Sequence, residues 1–120
     1  MFHISRKMIG GKVKFTPRIP ETQNASEAFY PPRVCAAPSI EQCLAGIEGT
    51  AIRWALESFE NSKDAFYVYK LPNKGYKHGK DVSDYEVTKE VHYYSPVEGI
   101  LVGEFVVIKQ SGKFELTKLS

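Results

Sequence analysis

The segment EVHYYS, residues 90–95, gathers the side chains best suited to chemistry. In an extended chain successive side chains alternate between faces, so Glu90, His92 and Tyr94 share one side and Val91 and Tyr93 the other. A carboxylate beside an imidazole offers three readings: the histidine tunes the acid, contacts a bound partner, or does nothing. The plain alternative is the wet side of a half-solvated sheet, apolar on one face and polar on the other. A second histidine, His3, lies in the opening strand-like run FHIS. It either decorates that strand or serves a site completed from elsewhere. Cys35 and Cys43 sit in apolar surroundings with a spacing that fits no zinc or CxxC signature, so reduced core thiols and no metal are expected.

The elements that must position these groups follow from pattern. FHIS is followed by the long stretch GGKVKFTPRIPETQNASEAFYPPR, rich in proline and read as an irregular loop that packs through Phe15, Ile19, Phe29 and Tyr30 as a possible lid. RVCAA suits a short buried strand. In PSIEQCLAGIEG, Ser39 is an N-cap and Gln42 completes a capping box. Ile40, Cys43, Leu44 and Ile47 then recur on one helical face, and Ile52, Ala55, Leu56 and Phe59 mark a second helix with Trp54 off its stripe. AFYVYKL, EVTKEVHYYS, GILVGEFVVIK and KFELTKL read as strands. The order predicts an α+β fold, a mostly antiparallel split sheet with one or two short helices.

Composition bounds the rest. A chain of 120 residues is long enough for one core and short for two, so residues 1–120 are expected to form a single domain. The formal charge of +2 does not by itself call for nucleic acid, although KLPNKGYKHGKD concentrates cations around Tyr76. That loop is either a solvated connection or a phosphate-binding patch. Neither a bilayer-length apolar run nor a signal-type start is seen, which leads to the expectation of a cytoplasmic protein with no membrane partner.

The order of three motifs resembles the ADP-ribosyltransferase-like superfamily, in its small bacterial and phage members, with features shared by poly(ADP-ribose) polymerases and rifampin ADP-ribosyltransferases. Phe2, His3, Ile4 and Ser5 are similar to the family's aromatic-His-Gly-Ser/Thr strand, with Ile4 in place of the glycine. Val34 to Ser39 resemble the strand that leads into a serine-rich helix start, and Glu90 to Glu98 the strand that opens on the family's glutamate. The resemblance implies NAD as the substrate, cleaved for ADP-ribosyl transfer or glycohydrolysis, as in a phage or bacterial effector acting on a host protein or nucleic-acid acceptor. It implies Glu90, His3 and Tyr30 as catalytic residues, and His3, Ser5, Arg18, Arg33, Ser39 and Tyr94 as residues that bind the dinucleotide. Tyr30 or Tyr94 would stack on nicotinamide, and Arg18 or Arg33 would meet the pyrophosphate. A catalytically inactive nucleotide- or protein-binding module on the same fold and a nucleic-acid-binding domain remain as alternatives.

Overall fold

The computed structural model describes residues 1–19, 31–62, 64–80 and 82–119. Its architecture is α+β, with two antiparallel sheets and three helices among the described residues. The larger sheet contains β1 (Phe2–Ser5), β2 (Lys12–Phe15), β4 (Phe66–Lys70), β7 (Val97–Gln110) and β8 (Lys113–Lys118). Its order is β1-β4-β7-β2, and β8 adds to β7. The smaller sheet runs β3 (Val34–Ala36), β6 (Val91–Tyr93), β5 (Lys77–His78). All pairings within both sheets are antiparallel.

Helix α1 (Ile40–Glu48) starts where its sequence asks it to. The Ser39 hydroxyl accepts from the Gln42 amide at 3.2 Å, and Gly49 closes the helix in the left-handed region at φ 65°. Helix α2 (Ile52–Ser62) buries Ala55 and Phe59, while Trp54 stays exposed. The two helices pack against each other and against the larger sheet, enclosing an apolar core of Leu44, Ala45, Ala55, Phe59, Phe66, Val68, Phe105 and Val107. A second apolar cluster, Val34, Ala36, Leu71, Val91, Tyr93 and Val97, draws on both sheets.

Two expectations change. The stretch after FHIS contains β2, whose residues Lys12 to Phe15 pair with Ile100 to Val97. The alternation of lysine with Val13 and Phe15 is the physical reason: the two apolar side chains are half-buried while both lysines are exposed. EVTKEVHYYS is not one strand. Tyr85–Thr88 form a short helix, α3, which ends at Lys89 in the left-handed region at φ 50°, and the chain is extended again only from Val91. Valine and threonine favour strands, but two amides, those of Val87 and Thr88, close onto the Asp84 carbonyl at 3.0 Å, so local turn bonds outweigh propensity.

Two isolated bridges place the sheets. Phe2 and Ala37 exchange main-chain hydrogen bonds of 2.8 and 3.0 Å, which fastens β1 of one sheet to the end of β3 in the other. Arg18 and Arg33 do the same at 3.1 and 2.8 Å, tying the chain after β2 to the start of β3. Strand β3 is therefore the seam of the molecule.

Candidate functional site

His3 approaches that seam from β1. Its backbone pairs with Tyr69 of β4, its ring packs on Phe15 with centroids 4.6 Å apart, and its Nδ1 lies 2.7 Å from the Cys35 carbonyl oxygen. A carbonyl only accepts, so Nδ1 carries the proton and donates. Burial holds the imidazole below the ordinary histidine value; the Cys35 carbonyl opposes that shift and the Arg18 cation adds to it. Near neutral pH the ring is therefore uncharged, with Nε2 left as a hydrogen-bond acceptor.

Glu90 approaches from a distant part of the chain, just before β6. It follows the left-handed turn at Lys89, its amide donates to the Thr88 hydroxyl at 3.3 Å, and its carbonyl accepts from the Gly79 amide at 2.9 Å. One carboxylate oxygen, Oε2, sits 3.4 Å from His92 Nε2. The other ring nitrogen of His92, Nδ1, lies 3.3 Å from the Tyr94 hydroxyl. Glu90, His92 and Tyr94 thus share one face. That face is not half-solvated at its centre, since His92 is 2 % exposed and Glu90 15 %, while Tyr94 opens to solvent at 40 %. The backbone at Gly79, just after β5, lies against His92 and Glu90 and helps to cover a sheet face that would otherwise be wet.

Cys35 joins the two approaches. It stands directly opposite His92 in the β3–β6 ladder. Its thiol, one carboxylate oxygen of Glu90 and one ring nitrogen of His92 lie within 4.8 Å of one another. Gly79 closes the group from the side. A Cβ there would come within 2.8 Å of His92 Cε1, 2.9 Å of its Nε2 and 3.1 Å of Glu90 Cγ, so only glycine lets this backbone lie against the pair.

The other expected site residues are distributed as follows. Ser5 makes a local turn, its hydroxyl donating to the Lys7 carbonyl at 2.7 Å. Ser39 caps α1 and also donates to the Gln42 side-chain oxygen at 2.9 Å. Arg18 is exposed, whereas Arg33 is 1 % exposed, and one of its terminal nitrogens donates to the Pro31 carbonyl at 3.5 Å. Tyr30 lies outside the described residues, as does the rest of residues 20–30 of the expected lid. In the basic segment, Lys74, Lys77 and Lys80 are exposed. Tyr76 packs edge-on against Tyr93 and His78, and Lys77–His78 form β5, so the segment is partly a strand rather than a free loop.

His3 and Glu90 therefore converge on one residue by different atoms, His3 on the main-chain oxygen of Cys35 and Glu90 beside its sulfur. Sequence reasoning did not find Cys35 or Gly79. Their parts depend on the pairing of β3 with β6 and of β5 with β6, and the apolar neighbours of Cys35 in VCAA carry no sign of it. No family model, curated protein or solved structure matches the chain. No helix among the described residues is long and apolar enough to cross a membrane.

Proposed function

We propose that the chain is an NAD-cleaving enzyme of the ADP-ribosyltransferase-like kind, transferring ADP-ribose to an acceptor or to water. The observation that carries this reading is the convergence of His3 and Glu90 on Cys35 from far-separated positions in the sequence, His3 on one of the two antiparallel sheets and Glu90 in the turn leading into the other. Breaking the bond between ribose and nicotinamide builds positive charge on the ribose, as glycoside cleavage does. Glu90, four-fifths or more buried, brings its carboxylate to a water-poor place where such charge is stabilised most. His3, held neutral with Nδ1 occupied, keeps Nε2 to accept from a hydroxyl such as that of the second ribose. The exposed ring of Tyr94 offers a stacking surface for nicotinamide, and exposed Arg18 a charge for the pyrophosphate.

The reading is tested by incubating the protein with NAD and measuring free nicotinamide, alone and with cell lysate as a source of acceptor. Glu90→Gln keeps the side-chain shape and removes the charge, so turnover falls by about two orders of magnitude or more with NAD binding retained. His3→Ala chiefly weakens NAD binding. Equal turnover in wild type and Glu90→Gln overturns the catalytic assignment.

A second reading is favoured by the contact of Glu90 with His92 at 3.4 Å, which already engages the carboxylate. In that case the site holds a nucleotide without cleaving it, and NAD or ADP-ribose binds with no nicotinamide released. For the nucleic-acid alternative, exposed Lys74, Lys77 and Lys80 would each steepen the salt dependence of binding by close to one unit in log–log form. Affinity for single or double strands that does not vary with salt removes it. A bacterial or phage effector role in the cytoplasm belongs to the same proposal and follows the acceptor that lysate labelling reveals.

A further inference from the structure

We infer that Cys35, Glu90 and His92 form a binding site for a zinc-class transition-metal dication. The three side chains bring a thiolate sulfur, a carboxylate oxygen and an imidazole nitrogen, the donor set that zinc takes and that the hard cations magnesium and calcium do not. They come from two strands of one sheet and the turn that leads into it, and their donor atoms lie within 4.8 Å of one another. A tetrahedral ion with bonds of about 2.0–2.3 Å holds neighbouring ligand atoms roughly 3.3–3.8 Å apart. The separation of His92 Nε2 from Glu90 Oε2, 3.4 Å, is already that of two ligands on one ion.

The surroundings fit as well. With Nε2 toward the metal, Nδ1 carries the ring proton and donates to the Tyr94 hydroxyl 3.3 Å away, the kind of outer contact that fixes the tautomer of a ligating histidine. Gly79 brings its backbone close against His92 Nε2 and Glu90 Cγ, where a methyl group would have no room. Buried His92 anchors the site from inside, and partly exposed Glu90 and Cys35 give it an opening to solvent. As the metal–sulfur bond forms, the Cys35 thiol releases its proton to water. Three protein ligands leave a fourth position for water. Such a metal would join β3 to β6 and occupy the same carboxylate that the NAD reading assigns to charge stabilisation.

The test uses the full chain with cobalt(II) as the probe and no NAD present, so it can fail or succeed apart from the NAD reading. Titration of wild type gives a thiolate-to-cobalt charge-transfer band that saturates at one ion per chain and is displaced by zinc. Cys35→Ser abolishes the band, whereas Cys43→Ser retains it, because Cys43 lies on α1 with its sulfur donating to the Phe2 carbonyl. Loss of the His92 ligand in His92→Gln lowers zinc affinity by more than about a hundredfold, beyond the effect of removing an outer contact. Absence of the band in wild type, its survival in Cys35→Ser, or its loss in Cys43→Ser each overturns the site. Wild type and the two cysteine variants decide the matter even where His92→Gln does not fold, since His92 is buried.

Discussion

The two sheets bury different chemistry. Under the larger sheet the enclosed side chains are uniformly apolar, from Leu44 and Phe59 on the helices to Phe66 and Phe105 on the strands. The three buried polar or charged residues among those described, Arg33, Thr88 and His92, all lie in or beside the smaller sheet. Burying a polar group costs free energy unless partners compensate it, whereas apolar burial stabilises without such conditions. One half of the molecule therefore supplies stability, and the other holds groups whose placement stability alone does not require. Function is expected on the second side.

Substitutions sharpen that contrast. The largest effect belongs to the larger sheet: Phe59→Ala removes a ring that packs edge-on against Phe66 at 5.5 Å and is expected to lower stability by about 3–5 kcal/mol. Chemical denaturation measures it, with Glu90→Gln as the matched change in the smaller sheet. Glu90→Gln is expected to leave the denaturation midpoint close to wild type while it lowers NAD turnover. A Glu90→Gln loss as large as that of Phe59→Ala would erase the division between the halves.

Gly79→Ala is intermediate. The new methyl group meets the rigid imidazole of His92 at 2.8 Å, so overpacking should cost about 1–3 kcal/mol and disturb the Cys35–Glu90–His92 group with every donor still present. Gly112→Ala, where a Cβ meets nothing within 4 Å but φ is +78°, isolates backbone strain from crowding. Equal melting temperatures for Gly79→Ala and wild type would show that the imidazole gives way to a methyl at no cost.

The smallest effect is a pH dependence. Burial pushes the Cys43 thiol up from 9.0 to about 12, opposed in part by a backbone hydrogen bond from Ala37. Folding thus favours the protonated thiol. The associated stability is complete below pH 9, the unfolded value, and is lost as pH rises from about 9 toward 12. Wild type should lose stability more steeply than Cys43→Ala over the accessible start of that window, between about pH 9 and 10. Parallel pH profiles for the two proteins would show that the thiol ionises as easily folded as unfolded. Tyr93, whose hydroxyl donates to the Pro72 carbonyl, is also pushed up to about 12 by burial and titrates in the same direction in both proteins.

Local signals explain which parts were legible. Ser39, Gln42 and the spacing of Ile40, Cys43, Leu44 and Ile47 specify α1 within a few residues, because helix caps and periodicity act over one or two turns. AFYVYKL reads as β4 for a similar reason: aromatic and branched residues suit a buried strand at any central position. β2 is concealed by the glycines before it and the prolines after it, although Lys12 to Phe15 alternate plainly. α3 is concealed because its residues prefer the extended chain. At the site, one face shared by Glu90, His92 and Tyr94 was readable from period two, but its depth was not, since it depends on how the Gly79 backbone and the distant strand β3 close on it. The opposition of Cys35 to His92 is a matter of register between strands separated by both long helices, and no local pattern specifies such a pairing.

Strand β7 pairs with β2 at its start, β4 through its middle and β8 at its end. Only the last of these partners is reached through a tight turn, at Ser111 and Gly112, so the β7–β8 hairpin closes the shortest loop in the larger sheet. β1 must return to β4, and β3 to β6, across about half of the chain, and loop closure of that kind is slow. The order of assembly therefore runs from the hairpin outward, with the seam between the sheets formed late. By the same logic the seam is the first part to open in the native state, so amide hydrogens of β3 and β6 should exchange with solvent before those of β7 and β8. A ligand held at this seam, as the NAD proposal requires, would then bind the closed form in preference to the opened one, and its binding should be readable as slowed exchange along β3.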